Sequence, residues 1–114
     1  MSLIKSFKHA IDGIANTVST ERNLKIHIII MFCVIALGFA VKLSQMEWII
    51  CIILFGLVIS AEIFNTALEK TLDYINEDYD DKIKFIKDAS AAAVLVIVIS
   101  SVIIGLMIFL PKLL

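Results

Sequence analysis

The chain has 114 residues, 61% of them hydrophobic, with a mean hydropathy of +1.00 and a net charge of −1. That is one domain at most, and it is more apolar than a soluble domain of this size, whose large surface must stay wet. The balanced charge gives no pull toward nucleic acid, and the sequence has no Gly-rich phosphate loop, no C-x-x-C pair and no internal repeat.

The predicted architecture is all-α and integral to the membrane, a single domain over 1–114. In chain order, residues 1–22 come first as an amphipathic segment. Ile4, Phe7, Ile11, Ile14 and Val18 recur at spacings of three and four, which stacks them on one side of a helix over 2–20. Lys5, Lys8, Asp12 and Asn16 fall mostly elsewhere. Such a helix ahead of a membrane span lies in the interface, basic face toward headgroups; packing on other protein is the plainer alternative. It does not resemble the short charged start of a signal peptide.

Three apolar stretches follow, at 24–43, 47–70 and 88–110, each near the roughly 20 residues needed to cross hydrocarbon. Trp48 stands at the start of the second, as interface aromatics do. The third has no charged residue from Ala89 to Leu110, and Pro111 is expected to end it. Cys33 and Cys51 lie in apolar runs and read as small buried hydrophobes. Lys5, Lys8, Arg22, Lys25, Lys70, Lys82, Lys84 and Lys87 fall on one side of the three spans, and only Lys42 and Lys112 on the other. Eight against two places the N-terminus and the loop after the second span in the cytoplasm.

The stretch SAEIFNTALEKTLD, Ser60–Asp73, leaves the second span carrying acids. Glu62, Asn65, Glu69 and Asp73 are three, four and four residues apart. At about 100° per residue they share an arc of roughly 80°, and the stripe rises about 16 Å from membrane depth into cytoplasmic water. Ile63, Phe64, Ala67 and Leu68 keep the opposite face apolar. A carboxylate facing lipid costs roughly 2–4 kcal/mol, so Glu62 must face protein or a water-filled cleft. There it suits a proton acceptor, or else hydrogen-bonds two helices together.

Two further clusters reach the same side. Glu21-Arg22-Asn23 with Lys25 and His27 opens the first span, and Lys87-Asp88 opens the third. Each alone reads as solvated anchors, with Asp88 a possible N-cap or first-turn acid and His27 a helix–helix hydrogen-bonding group. Together they give carboxylates and a lysine near one interface. Hard oxygen ligands suit Mg²⁺ shared with substrate phosphates, and phosphoryl transfer needs little beyond a metal, a cation and a base.

Glu62-x-x-Asn65-x-x-x-Glu69-x-x-x-Asp73, followed by Lys87-Asp88-Ala-Ser-Ala-Ala-Ala-Val, resembles the prokaryotic diacylglycerol kinase family. Glu21-Arg22-Asn23-Leu24-Lys25-Ile26-His27 resembles the family's segment before its first span. NTALEK and ERNLKIH look more like the Gram-positive branch, whose members phosphorylate undecaprenol, than the branch acting on diacylglycerol. The resemblance implies an ATP- and Mg²⁺-dependent lipid kinase of the bacterial plasma membrane. Glu62 matches the general base, Glu21 and Glu69 the metal-holding carboxylates, and Asn65 and Asp73 supporting polar residues. Lys87 matches the phosphate-contacting lysine and Asp88 its neighbour on the nucleotide side. Asp78-Tyr79-Asp80 stands where the family often has Glu-Tyr-His, near the nucleoside. The family forms homotrimers with sites shared between protomers, which implies a homotrimeric bundle here.

Two other readings compete. A small transporter or proton-coupled channel would use Glu62 as a relay, but the outer halves of the spans lack charge. A scaffold subunit would leave the regular acidic spacing unexplained.

Overall fold

The structure, a computed structural model, describes residues 2–76 and 80–114. The described residues form four helices: α1 (Leu3–Thr20), α2 (Arg22–Ala40), α3 (Gln45–Ile75) and α4 (Asp81–Leu113). Helices α2, α3 and α4 are long and apolar enough to cross a membrane.

Ser2 caps α1 by accepting from the Lys5 N–H. Helix α1 ends where Glu21 turns extended, at φ −104° and ψ 115°. It has no buried residue, and Leu3, Ile4, Phe7, Ile11 and Ile14 stand exposed along it. Helix α2, at 19 residues, is about 28 Å long, close to the hydrocarbon thickness. Helices α3 and α4, at 31 and 33 residues, run to about 46 and 50 Å. They are therefore longer than a bilayer core is thick.

The α2–α3 turn is closed by a backbone motif. The Leu43 N–H donates to the Gly38 carbonyl at 3.1 Å and the Lys42 N–H to that of Phe39 at 3.3 Å. Lys42 takes the left-handed position such a motif needs, at φ 58°. Ser44 and Glu47 then form a reciprocal capping box that starts α3. Lys112 Nζ reaches Glu47 Oε1 at 3.0 Å and ties the end of α4 to this turn.

Helix α3 is central: it packs against α4, α2 and α1. The buried core is small. Its clearest cluster, Leu43, Cys51 and Phe109 with Trp48 and Phe55 packed on it, sits at the end carrying the α2–α3 turn. Trp48 lies over Gly38 so closely that a Cβ there would stand 2.7 Å from its ring. Most other large apolar side chains, Ile29, Phe32, Ile52, Phe64 and Met107 among them, face outward. That is how a chain solvated by lipid distributes its apolar surface, so apolarity alone cannot mark the inside. Two expectations are corrected. Cys33 is exposed, unlike buried Cys51, because it falls on the outer face of α2 while Val34 and Gly38 turn inward. Pro111 does not end α4, which continues to Leu113; in a final turn the missing N–H removes only one bond before the helix stops anyway.

Candidate active site

Helical spacing puts Glu62, Asn65, Glu69 and Asp73 on one face of α3, and burial loosens along it. Glu62 is 5% exposed, Asn65 and Glu69 are half-buried, and the Asp73 side chain is 56% exposed. Phe64, on the other face, is exposed. The stripe thus passes from protein interior to open surface, as its spacing predicts.

Each member meets a partner. His27 Nε2, on α2, lies 3.1 Å from Glu62 Oε1. Buried Thr66 donates its hydroxyl to the Glu62 carbonyl at 3.0 Å. Asn65 Nδ2 donates to Glu69 Oε1 at 3.2 Å, which fixes the amide's orientation because a carboxylate only accepts. Asn65 Oδ1 is then buried with no hydrogen-bond partner among the described residues. Lys87 Nζ, on α4, donates to Asp73 Oδ1 at 2.6 Å. Glu21, between α1 and α2, has Lys70 Nζ at 3.7 Å from its Oε1, next in sequence to Glu69. The tertiary structure therefore gathers residues from α2, α3, α4 and the α1–α2 junction along one face of α3.

Asp88 is not the N-cap of its helix. Asp80 takes that place, accepting from the Ile83 N–H at 2.8 Å, while Asp88 pairs with Lys84 Nζ at 2.6 Å one turn back. Asp78 and Tyr79 lie outside the described residues.

Below the acidic stripe runs an apolar cavity of ≈ 400 Å³, walled by α2, α3 and α4. Ile30, Met31 and Val34 contribute from α2, Leu54 and Phe55 from α3, Val98 and Leu106 from α4. Its volume falls in the range of ligand sites, roughly 300–1,000 Å³. Its polar end is His27, the residue that touches Glu62. Gly105 lines it too, and a Cβ built there would meet nothing within 4 Å.

Residues 8–109 match the family described as prokaryotic diacylglycerol kinase. The chain belongs to that family. It is 48% identical over 109 residues to an undecaprenol kinase of Bacillus subtilis (strain 168), covering 96% of this chain and 89% of the relative. It is 33% identical over 114 residues to a diacylglycerol kinase of Synechocystis, covering 99% of this chain and 65% of that longer protein.

A member of a kinase family must accommodate a phosphoryl donor and its counter-ion. Among the described residues no group of three or more His, Cys, Asp or Glu side chains is placed to hold a metal. Mg²⁺ asks for less: one or two carboxylates, with substrate phosphates completing the sphere. The Glu69 and Glu21 carboxylates are hard oxygen donors of that kind. The residues present fit the ion.

Three members of this neighbourhood were not assigned to it by sequence: His27 as the partner of Glu62, Thr66 beneath it, and Lys70 beside Glu21. Thr66 carried a signal, lying one turn from Glu62 on the same helix, and His27 was expected to hydrogen-bond between helices, as it does from α2 to α3, although its partner was not named. The pairings of His27 and Lys70 depend on which helices meet.

Proposed function

We propose that this protein is an ATP-dependent kinase of a membrane lipid alcohol, with undecaprenol as acceptor and undecaprenyl phosphate as product. The observation that carries the reading is where Glu62 lies: a buried carboxylate at the junction of the acidic stripe and the apolar groove, with His27 belonging to both. The 48% identity to an undecaprenol kinase over most of the chain supports the acceptor. Its cavity walls, apolar except for His27, Ser101 and Cys51, offer hydrocarbon surface and not the polar relay a proton channel needs.

The acceptor's tail lies in the groove and its hydroxyl reaches Glu62. Glu62 takes the hydroxyl proton as the oxygen attacks the γ-phosphorus of ATP. The bond from that phosphorus to the β–γ bridging oxygen breaks, and ADP leaves with the electron pair. Lys87, steadied by Asp73, meets the phosphates, and Asp88 stands beside it. Asp80, the N-cap of α4, together with Asp78 and Tyr79 is assigned to the nucleoside by the family resemblance. Glu69, whose Oε1 accepts from Asn65, and Glu21 would hold Mg²⁺. When bound, the ion neutralises charge on the triphosphate.

The site faces the cytoplasm, in keeping with the eight-to-two distribution of lysine and arginine. Helix α1 lies in the interface with its uncovered apolar residues in the acyl boundary. The protein assembles as a homotrimer with shared sites. Ala89, Ala91, Ala92 and Ala93, exposed near the head of α4, leave room for a neighbouring helix to approach.

The second reading, diacylglycerol as acceptor, is favoured by the Synechocystis relative. Purified protein in mixed micelles with Mg²⁺ and ATP, offered both alcohols side by side, tests the choice. The expected result is a higher kcat/KM for undecaprenol. A higher value for diacylglycerol selects the second reading, and phosphorylation of neither contradicts both.

A further inference from the structure

We infer that His27 is a positioning residue for Glu62: it holds Oε1 and so turns Oε2 toward the acceptor hydroxyl. The inference rests on the base role proposed for Glu62 and adds a second residue to the reaction.

Three observations carry it. His27 Nε2 lies 3.1 Å from Glu62 Oε1, joining α2 to α3. The two side chains are only 21% and 7% exposed, so little water competes for the contact. His27 also lines the apolar groove, so the ring that touches Glu62 borders the space an apolar chain would fill. An ionised Glu62 at this depth needs a donor to replace water. An imidazole with its proton on Nε2 supplies one N–H in either charge state. A carboxylate pinned through one oxygen has fewer orientations, and its other oxygen keeps a fixed bearing. Small misplacements of a catalytic group cost turnover steeply.

A histidine that merely fastened α2 to α3 would leave the same distance in a static structure, so the test must separate the two. Wild type, His27→Phe, His27→Gln, Glu62→Gln and the His27→Phe/Glu62→Gln double variant are compared for turnover of undecaprenol with ATP in micelles. His27→Phe is expected to lower kcat about 10- to 100-fold with the KM for ATP unchanged. His27→Gln, which retains an N–H donor, is expected to recover most of the loss. The double variant should be no slower than Glu62→Gln alone, because a residue acting through Glu62 has nothing left to act on.

The inference is overturned if His27→Phe turns over like wild type, or if the losses multiply in the double variant. If Glu62→Gln itself keeps its turnover, the base role falls and the inference with it. If Glu62→Gln is slow while His27→Phe is fast, only the inference falls. Should His27→Phe not fold, His27→Met carries the same cycle with a flexible apolar side chain.

Discussion

Lys87 Nζ stands 2.6 Å from Asp73 Oδ1, which locks the head of α4 to the end of the acidic stripe across fourteen residues of sequence. The pair is unequal: the lysine side chain is 17% exposed and the aspartate 56%. An ion pair so open on one side adds little stability, within about 1 kcal/mol. In the proposed mechanism its use is to aim an ammonium at the phosphates. Asp73→Ala is therefore expected to leave the melting temperature in micelles nearly unchanged and to raise the KM for MgATP several-fold. A steep loss of melting temperature with an unchanged KM would make the pair a stabilising contact alone.

Glu69 receives the Asn65 amide and lies two turns along α3 from Glu62 on the same face. With Glu69→Gln the site keeps a hydrogen-bonding oxygen but loses a charge. Activity titrated against Mg²⁺ is expected to need a higher concentration than wild type. An unchanged Mg²⁺ curve would remove Glu69 from the metal's neighbourhood.

The groove makes a separate prediction. Gly105 borders it, and a Cβ there meets nothing within 4 Å, so Gly105→Leu is chosen to add bulk to the groove. The KM for a long prenol should rise while that for ATP stays put. A variant with both constants at the wild-type level would show that the acceptor lies elsewhere.

At the opposite end, Gly38→Ala brings a Cβ to 2.7 Å from the Trp48 ring and 2.9 Å from Leu43. Overpacking of this kind costs about 1–3 kcal/mol. Gly56→Ala, whose Cβ meets nothing, is the control. Thermal unfolding in micelles should separate the two, the first lowered and the second equal to wild type or raised. Equal melting temperatures would mean that Trp48 swings aside freely.

How much of this was legible in the sequence depends on whether a relation runs along one helix or between two. Glu62, Asn65, Glu69 and Asp73 share a face because 3.6-residue periodicity requires it, and the structure keeps them there. Three apolar runs gave three long helices. Relations between helices were hidden. Nothing in the spacing joins His27 to Glu62, thirty-five residues on, or Lys87 to Asp73, because those contacts come from packing. Asp80, not Asp88, caps α4 because the helix starts seven residues sooner than its apolar run. Cys33 shows the limit most plainly: in lipid an apolar position faces in or out with equal ease, so hydropathy does not tell Cys33 from Cys51.

The most direct measurement is a single turnover of undecaprenol by Glu62→Gln with saturating MgATP, alongside nucleotide binding by the same variant. Phosphate transfer should fall about 10²- to 10⁴-fold while ATP binds as in wild type. Transfer within a few-fold of wild type would contradict the assignment of Glu62 as the base on which the account is built.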